Sequence, residues 1–282
     1  TVVVAIAATG MTLIIIGGGI DLSMGSVVAF TGVMAARLLV AGWSTWLTTL
    51  ALVAVGGAIG LVNGAVIAGC RMMPFIVTLG TMGIVRGAAK WLGKNQTVNA
   101  PPDSAVGELM ARVRPTEFWP LPAGVWIALG LAALMAIVLR TTVFGRYVFA
   151  IGANETAARY SGIPVRPVKA ATYAIAGLLC GFAGLLQMSR LTQGDPTVAV
   201  GLELDVIAAV VIGGASLSGG VGSIAGSLIG ALIMALLRNG TNQLGWQTYS
   251  QEIIIGVVIV LAVGLDQWRQ SRRLEAALSP PS

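Results

Sequence analysis

Histidine is missing altogether from these 282 residues, and cysteine occurs only twice. Without histidine, Ser-His-Asp and Cys-His catalysis and histidine-based metal sites are excluded. Cys70 and Cys180 both stand in apolar stretches, where a thiol packs as a small hydrophobe. Charge is scarce as well: Asp, Glu, Lys and Arg make up 10% of the chain, against about 25% in soluble domains. The phosphate-cradling pattern Gly-x-x-x-x-Gly-Lys-Ser/Thr occurs nowhere, so the chain cannot bind ATP by that route. There is no initiator Met and no signal peptide, and Thr1 already lies in an apolar run. The expectation is a fragment lacking an N-terminal part.

What is abundant is apolar. Hydrophobic residues make up 56% of the chain and mean hydropathy is +0.88. There are too few polar side chains to coat a soluble surface of this size, so the surface must face lipid. The net charge is +6, but the 17 Lys and Arg are scattered, with no basic stripe and no aromatic interleaving. That distribution suits loops flanking membrane spans rather than nucleic-acid binding.

A spanning helix needs about 20 mostly apolar residues. Candidates lie at 2–17, 24–40, 46–68, 74–92, 123–139, 168–189, 204–216, 223–238 and 251–267. Helix is the conformation that satisfies the backbone of such long runs inside a bilayer. The stretch 204–216 is short and is expected to be re-entrant or broken. The fold class is therefore all-α integral membrane: a polytopic bundle of about nine spans with interrupted or re-entrant helices, in one transmembrane domain over residues 1–268.

Lys and Arg in short loops orient the bundle. The loop 140–167 carries Arg140, Arg146, Arg159 and Arg166, with Lys169 beyond it. The tail 269–282 carries Arg269, Arg272 and Arg273. Both are expected in the cytoplasm, and the four spans between them agree. The Pro-rich loop 93–122 then faces outside, with Arg86, Lys90 and Lys94 snorkelling from a span end. Nine spans place Thr1 outside, and a missing first span would return the N-terminus to the cytoplasm.

Glycine is unusually frequent, at 38 residues. Gly56, Gly60 and Gly64, and again Gly222, Gly226 and Gly230, recur every four residues. This spacing lets helix backbones approach closely within one bundle. Two glycine-serine segments, 18–25 and 213–220, match at five of eight positions. Each follows an apolar run and precedes another helix, as interrupted helices along transport pathways do; chance similarity is the alternative in so glycine-rich a chain.

Few residues carry chemistry. Asp21 is the one acid in the first five spans and their short connections. It either caps the following helix together with Ser23 or serves solute passage or gating. Glu203 and Asp205 open the span 204–216, where acids complement the helix dipole; pairing with Arg190 is a further expectation. In the loop 145–167, Asn154 is a good N-cap, Glu155 to Tyr160 suits a short helix, and Gly162 and Pro164 stop it. Such a helix is either a docking knob for a partner or an ordinary surface element.

Five ordered blocks carry a family likeness. They are Gly18-Gly19-Ile20-Asp21-Leu22-Ser23-Met24-Gly25-Ser26; Phe75 to Thr81 with Arg86-Gly87; Gly145-Arg146-Tyr147 with Ile151 to Glu155, Ala157 to Arg159 and Ser161 to Ile163; Glu203 to Gly214; and Gly219-Gly220, Gly222 and Gly226 with Asn239-Gly240. Together they resemble permease subunits of the ribose/xylose/arabinose/galactoside class of ABC importers, with Met24 and Thr156 departing from the usual valine and alanine. The resemblance implies about ten spans in the full-length protein and a pathway formed with a second permease subunit, identical or not. It implies a cytoplasmic ATPase that binds ATP and Mg, and a periplasmic or lipid-anchored sugar-binding protein. The chain itself is then a transport subunit of the bacterial inner membrane, without enzymatic activity or cofactor. The loop 140–167 becomes the ATPase-docking segment, with Gly152, Asn154, Glu155, Ala157, Arg159 and Gly162 as coupling residues.

The expected mechanism is alternating access for a ribose-like monosaccharide. Asp21, Ser23, Ser26, Ser216 and Ser218, with Thr31 beside them, are the candidate pathway or gating residues. Related permeases carry nucleosides or branched-chain amino acids, which are the competing solutes. An ion-coupled carrier would need buried ionisable groups at the midplane, and these are nearly absent from the sequence. An intramembrane enzyme would need a clustered set of catalytic side chains, which is also missing.

Overall fold

A computed structural model of the chain describes residues 2–101, 106–110, 121–247, 249–258, 260, 261 and 264. The tail 269–282, with Arg269, Arg272 and Arg273, lies outside the described residues. The helices are α1 (Val2–Ile16), α2 (Met24–Val40), α3 (Thr45–Cys70), α4 (Pro74–Gly93), α5 (Ala123–Thr141), α6 (Val143–Ala153), α7 (Glu155–Tyr160), α8 (Val165–Leu191), α9 (Leu202–Ile212), α10 (Ile224–Gln243) and α11 (Tyr249–Val258). A 3-10 turn covers Gly107–Met110. Two short strands, β1 (Val98–Asn99) and β2 (Gln193–Gly194), pair antiparallel and tie the loop after α4 to the end of α8.

Among the described residues α3, α5, α8 and α10 are long and apolar enough to cross a membrane, while α1, α2, α6 and α11 are shorter apolar helices. The architecture is that of a polytopic helical membrane protein. The candidate span 204–216 becomes α9, which has 11 residues and is about 16 Å long. That falls well short of a hydrocarbon core of about 30 Å, so α9 by itself is too short to span. The stretch 143–153, placed by the sequence within the loop 140–167, is instead helix α6, capped by Thr142, whose Oγ1 accepts from the amide of Gly145 at 3.2 Å.

The centre of the bundle is α1. It is hydrophobic on every face and buried along nearly its whole length, packing on α8, α9, α10 and α5. Around it, α3 lies on α8 through glycine. A side chain at Gly56 or Gly60 would meet the carbonyl oxygens of Gly177 and Tyr173, and one at Gly64 would stand 2.7 Å from Ala170 Cα. Gly177 and Gly181 supply the matching small surface on α8. The four-residue glycine spacing is thus a helix contact inside one chain. The second set does similar work for α10: Gly226 lies on Gly213, Gly230 lies on Ala209 of α9, and Gly222 faces Ile16.

Candidate functional site: two helix breaks and an exposed short helix

The break between α1 and α2 is built first from backbone. Gly17, Gly18 and Gly19 donate to the carbonyls of Leu13, Ile15 and Ile14 at 3.1, 2.9 and 2.9 Å, with Gly18 at φ +75°. This closes α1 with a glycine in the left-handed region. The chain then runs through Ile20 to Ser23 before α2 begins. Asp21 is buried there, and one carboxylate oxygen accepts from the amide of Ser23 at 2.7 Å and from its hydroxyl at 2.6 Å. Asp21 therefore bonds the residue in front of α2, and Ser23 at the N-cap makes no side-chain cap bond. The expected capping is displaced outside the helix by one residue.

The polar chain continues across the bundle. Ser23 Oγ accepts from Asn63 Nδ2 of α3 at 3.1 Å, and Asn63 Oδ1 accepts from Thr81 Oγ1 of α4 at 2.6 Å. From the other side, the hydroxyl of Tyr173 on α8 donates to the carbonyl of Ile20 at 3.1 Å. One irregular segment is thus held by side chains from α3, α4 and α8. Every group in it has a partner, which the surrounding apolar medium demands. Asn63→Leu is expected to leave the Thr81 hydroxyl without its acceptor and Ser23 with Asp21 alone, and to cost about 1–3 kcal/mol, measured as a lowered thermal unfolding midpoint of the detergent-purified protein.

The second break, between α9 and α10, holds Ser216 and Ser218, whose hydroxyls lie 2.9 Å apart. The two similar glycine-serine segments meet. The amide of Gly220 donates to the carbonyl of Ile16 at 2.8 Å, and a Cβ at Gly219 would stand 3.0 Å from Gly18 Cα. Ser26 lies fully buried in the first turn of α2, and its hydroxyl has no hydrogen-bond partner among the described residues. Thr31 bonds its own helix, at the carbonyl of Val27.

The end of α6 is wedged into this junction. Gly152 packs so closely that a Cβ would meet the carbonyl oxygen of Ile16 and stand 2.6 Å from the amide nitrogen of Gly220. Asn154 then caps α7, accepting from the amide of Ala157 at 2.9 Å. Gly162, at φ +82°, ends the turn, and Pro164 leads into α8. Glu155 pairs with Arg159 at 2.8 Å and with Lys169 of α8 at 2.6 Å. The hydrogen bond from Lys169 holds the Glu155 carboxyl below the usual glutamate range, and the nearby charges of Lys169 and Arg159 add to this against a partial burial that opposes it. A lowered pKa means the pairing is present at neutral pH and is lost only as pH falls below that range. Asn154, Ala157, Arg159 and Gly162 are exposed, and Tyr160 is 88% exposed, so α7 presents a free outer face.

Two sequence expectations need correction. Asp205 does not pair with Arg190; it bonds Arg238 of α10 at 2.6 Å, because α9 and α10 pack directly. Arg86 does not snorkel. It turns inward and donates to the carbonyls of Pro196 and Val198 at 3.0 and 2.7 Å, satisfying the irregular chain before α9. Sequence reasoning also missed Asn63, Thr81 and Tyr173. Asn63 had a signal, as the one amide in the apolar run of α3. Thr81 lies in the Phe75-to-Thr81 block of family likeness but has no role assigned there, and Tyr173 had no signal, since tyrosine is ordinary in membrane helices.

Comparison with known proteins places this arrangement. A family model described as the permease component of branched-chain amino acid transport systems matches residues 1–263. The ribose import permease protein of Escherichia coli strain K12 is 43% identical over 273 residues, covering 96% of this chain and 84% of the relative. The ribose import permease protein of Bacillus subtilis strain 168 is 43% identical over 261 residues, covering 92% and 80%. The L-arabinose ABC transporter permease protein of Azospirillum brasilense is 39% identical over 273 residues, covering 97% and 79%. No solved structure matches. With a match running along nearly its whole length, the chain belongs to the ribose-type permease family of ABC sugar importers.

Proposed function

We propose that this chain is the multi-pass inner-membrane permease subunit of an ABC importer that moves a monosaccharide, ribose-like or arabinose-like, into the cell. Its relatives by sequence are ribose and arabinose permeases. The observation that carries the mechanism is the wedge at Gly152. An exposed short helix is joined through one glycine to the ends of both interrupted helices.

In this reading α7 docks into a cytoplasmic ATPase, which binds ATP and Mg and performs the hydrolysis. The loop 140–167 and the C-terminal tail face the cytoplasm. A second permease subunit completes the pathway, and a periplasmic or lipid-anchored binding protein delivers the sugar outside. Closure of the ATPase pushes α7, and Gly152 passes the push to Ile16 and Gly220. The Asp21–Ser23–Asn63–Thr81 chain holds the first break in one arrangement. Its rearrangement, with that of Ser216 and Ser218, opens the path. A nucleotide-driven switch of this kind works only through contacts that differ between the two states.

The test is assembly. The double variant Glu155→Ala, Arg159→Ala removes the ion pairs that orient α7 on α8 while leaving the buried junction intact. Co-purification of the ATPase with the permease is expected to fall at least tenfold, and ATP-coupled uptake with it. Undiminished assembly and uptake would show that α7 is not the docking element.

A further inference from the structure

We propose that a polar cleft between α1, α8, α9 and α10 is the external solute-receiving site, in which amide and guanidinium groups bond the hydroxyls of the translocated sugar. This rests on the monosaccharide reading above. The cleft has a volume of about 560 Å³, inside the range of ~300–1,000 Å³ typical of small-molecule sites. Gln187 and Arg190 of α8, Asp205 of α9, and Arg238, Asn239 and Asn242 of α10 line it.

Its position fits solute entry. Lys169, beside the coupling segment, and Arg190, in the cleft, are 21 residues apart on one helix, which is about 31 Å. The cleft also touches Val3 and Val4, at the opposite end of α1 from the Ile16–Gly152 junction. It therefore lies at the face of the bundle away from α7. The chain at 198–202, which forms one wall, leads into the short helix α9, and Arg86 holds its carbonyls in place from behind. The cleft thus ends on the irregular segment that a moving α9 would displace.

Its chemistry fits a polyhydroxylated molecule held by hydrogen bonds. The amides of Gln187 and Asn239 each offer donors and an acceptor, Asn242 offers its donors while its Oδ1 accepts from Gln251 at 2.6 Å, and Arg190 offers donors alone. The Asp205–Arg238 ion pair, 2.6 Å apart, neutralises its own charge, so the charge that remains in the lining is the guanidinium of Arg190. Polar groups are costly against lipid, and α10 presents Ile229 and Ile233 elsewhere on its surface, 61% and 42% exposed. Six polar side chains gathered in one concavity mark a wet floor, beside an apolar wall that includes Leu232 and Leu236 of α10.

The experiment uses the assembled importer, permease with its ATPase and binding protein, in proteoliposomes. Gln187→Leu, Asn239→Leu and Asn242→Leu keep side-chain size and remove the hydrogen-bonding groups. Each is expected to lower the maximal rate of radiolabelled ribose or arabinose uptake about tenfold, with less than a twofold change in the affinity of the binding protein for the permease. As a check independent of turnover, Asn239→Cys in a background free of Cys70 and Cys180 is expected to react with a membrane-impermeant thiol reagent added outside. Sugar-loaded binding protein should protect it more than sugar-free binding protein. Wild-type uptake rates in all three leucine variants would overturn the proposal. So would a parallel loss of binding-protein affinity or of the permease dimer, because either assigns these residues to a protein interface. If the unmodified importer carries neither sugar but carries leucine, the monosaccharide reading fails, and the same variants then test the cleft with leucine as solute.

Discussion

Replacing Gly60 with leucine is expected to remove the folded permease from the membrane. At this position α3 crosses α8 with no side chain between the backbones. A Cβ would meet the carbonyl oxygen of Tyr173 and stand 3.1 Å from Gly177 Cα. Neither obstacle is the end of a flexible side chain, so no rotamer change relieves the clash. The helices must separate, and the contacts of Gly56 and Gly64 on the same face go with them. Overpacking a core ordinarily costs about 1–3 kcal/mol; a backbone-on-backbone clash repeated along a helix face exceeds that. Separation would also pull Tyr173 from the carbonyl of Ile20 and Asn63 from Ser23, so the first break would lose its support. The measurement is the amount of monodisperse protein recovered after detergent extraction, expected to fall by at least tenfold. Gly69→Leu is the control, because a Cβ there meets nothing within 4 Å on the same helix. Its recovery should match the unmodified protein. Equal losses from both substitutions would show that glycine matters to α3 for some reason other than this crossing.

Gly152→Val is expected to leave the protein in the membrane and to abolish coupled transport. The clash is local: a Cβ would meet the carbonyl of Ile16 and crowd the amide of Gly220. Those two groups bond each other at 2.8 Å, and the added side chain must break that bond or push α6 away. Either outcome disconnects α7 from the two helix breaks. The clash falls on the end of α1 and leaves the α3–α8 crossing untouched, so recovery is expected to fall less than with Gly60→Leu. ATP-driven solute uptake is expected to drop by more than tenfold at equal permease density. Full uptake with this variant would mean that motion reaches the pathway without passing through Gly152.

The parts of this fold that were legible in the sequence are the local and periodic ones. The apolar runs located most helices because hydrophobic length is a direct requirement of the bilayer. Asn154, Gly162 and Pro164 marked the ends of α7 because caps and left-handed turns need particular residues. The glycine spacing announced a close helix contact, though not that α8 was its partner. What the sequence concealed is long-range. Ser23, Asn63 and Thr81 come from three separate helices, and no spacing rule connects them. Asp205 finds Arg238 rather than Arg190 because α10 folds back on α9, a fact of topology. Helix α6 was hidden by its length: 11 residues are too few to span a bilayer, and Arg146 within them reads as loop charge. The likeness between 18–25 and 213–220 was weak evidence alone; contact between the two segments turns it into a structural relation.

The account stands on coupling between an ATPase outside this chain and a pathway within it. The most direct measurement is uptake of radiolabelled ribose or arabinose into proteoliposomes that contain this permease, its ATPase and its binding protein. Components are omitted one at a time, and ion gradients are collapsed with ionophores. The account predicts uptake that requires ATP, the ATPase and the binding protein, and that persists after every ion gradient is gone. Uptake that continues without the ATPase and stops with the ion gradient would contradict it.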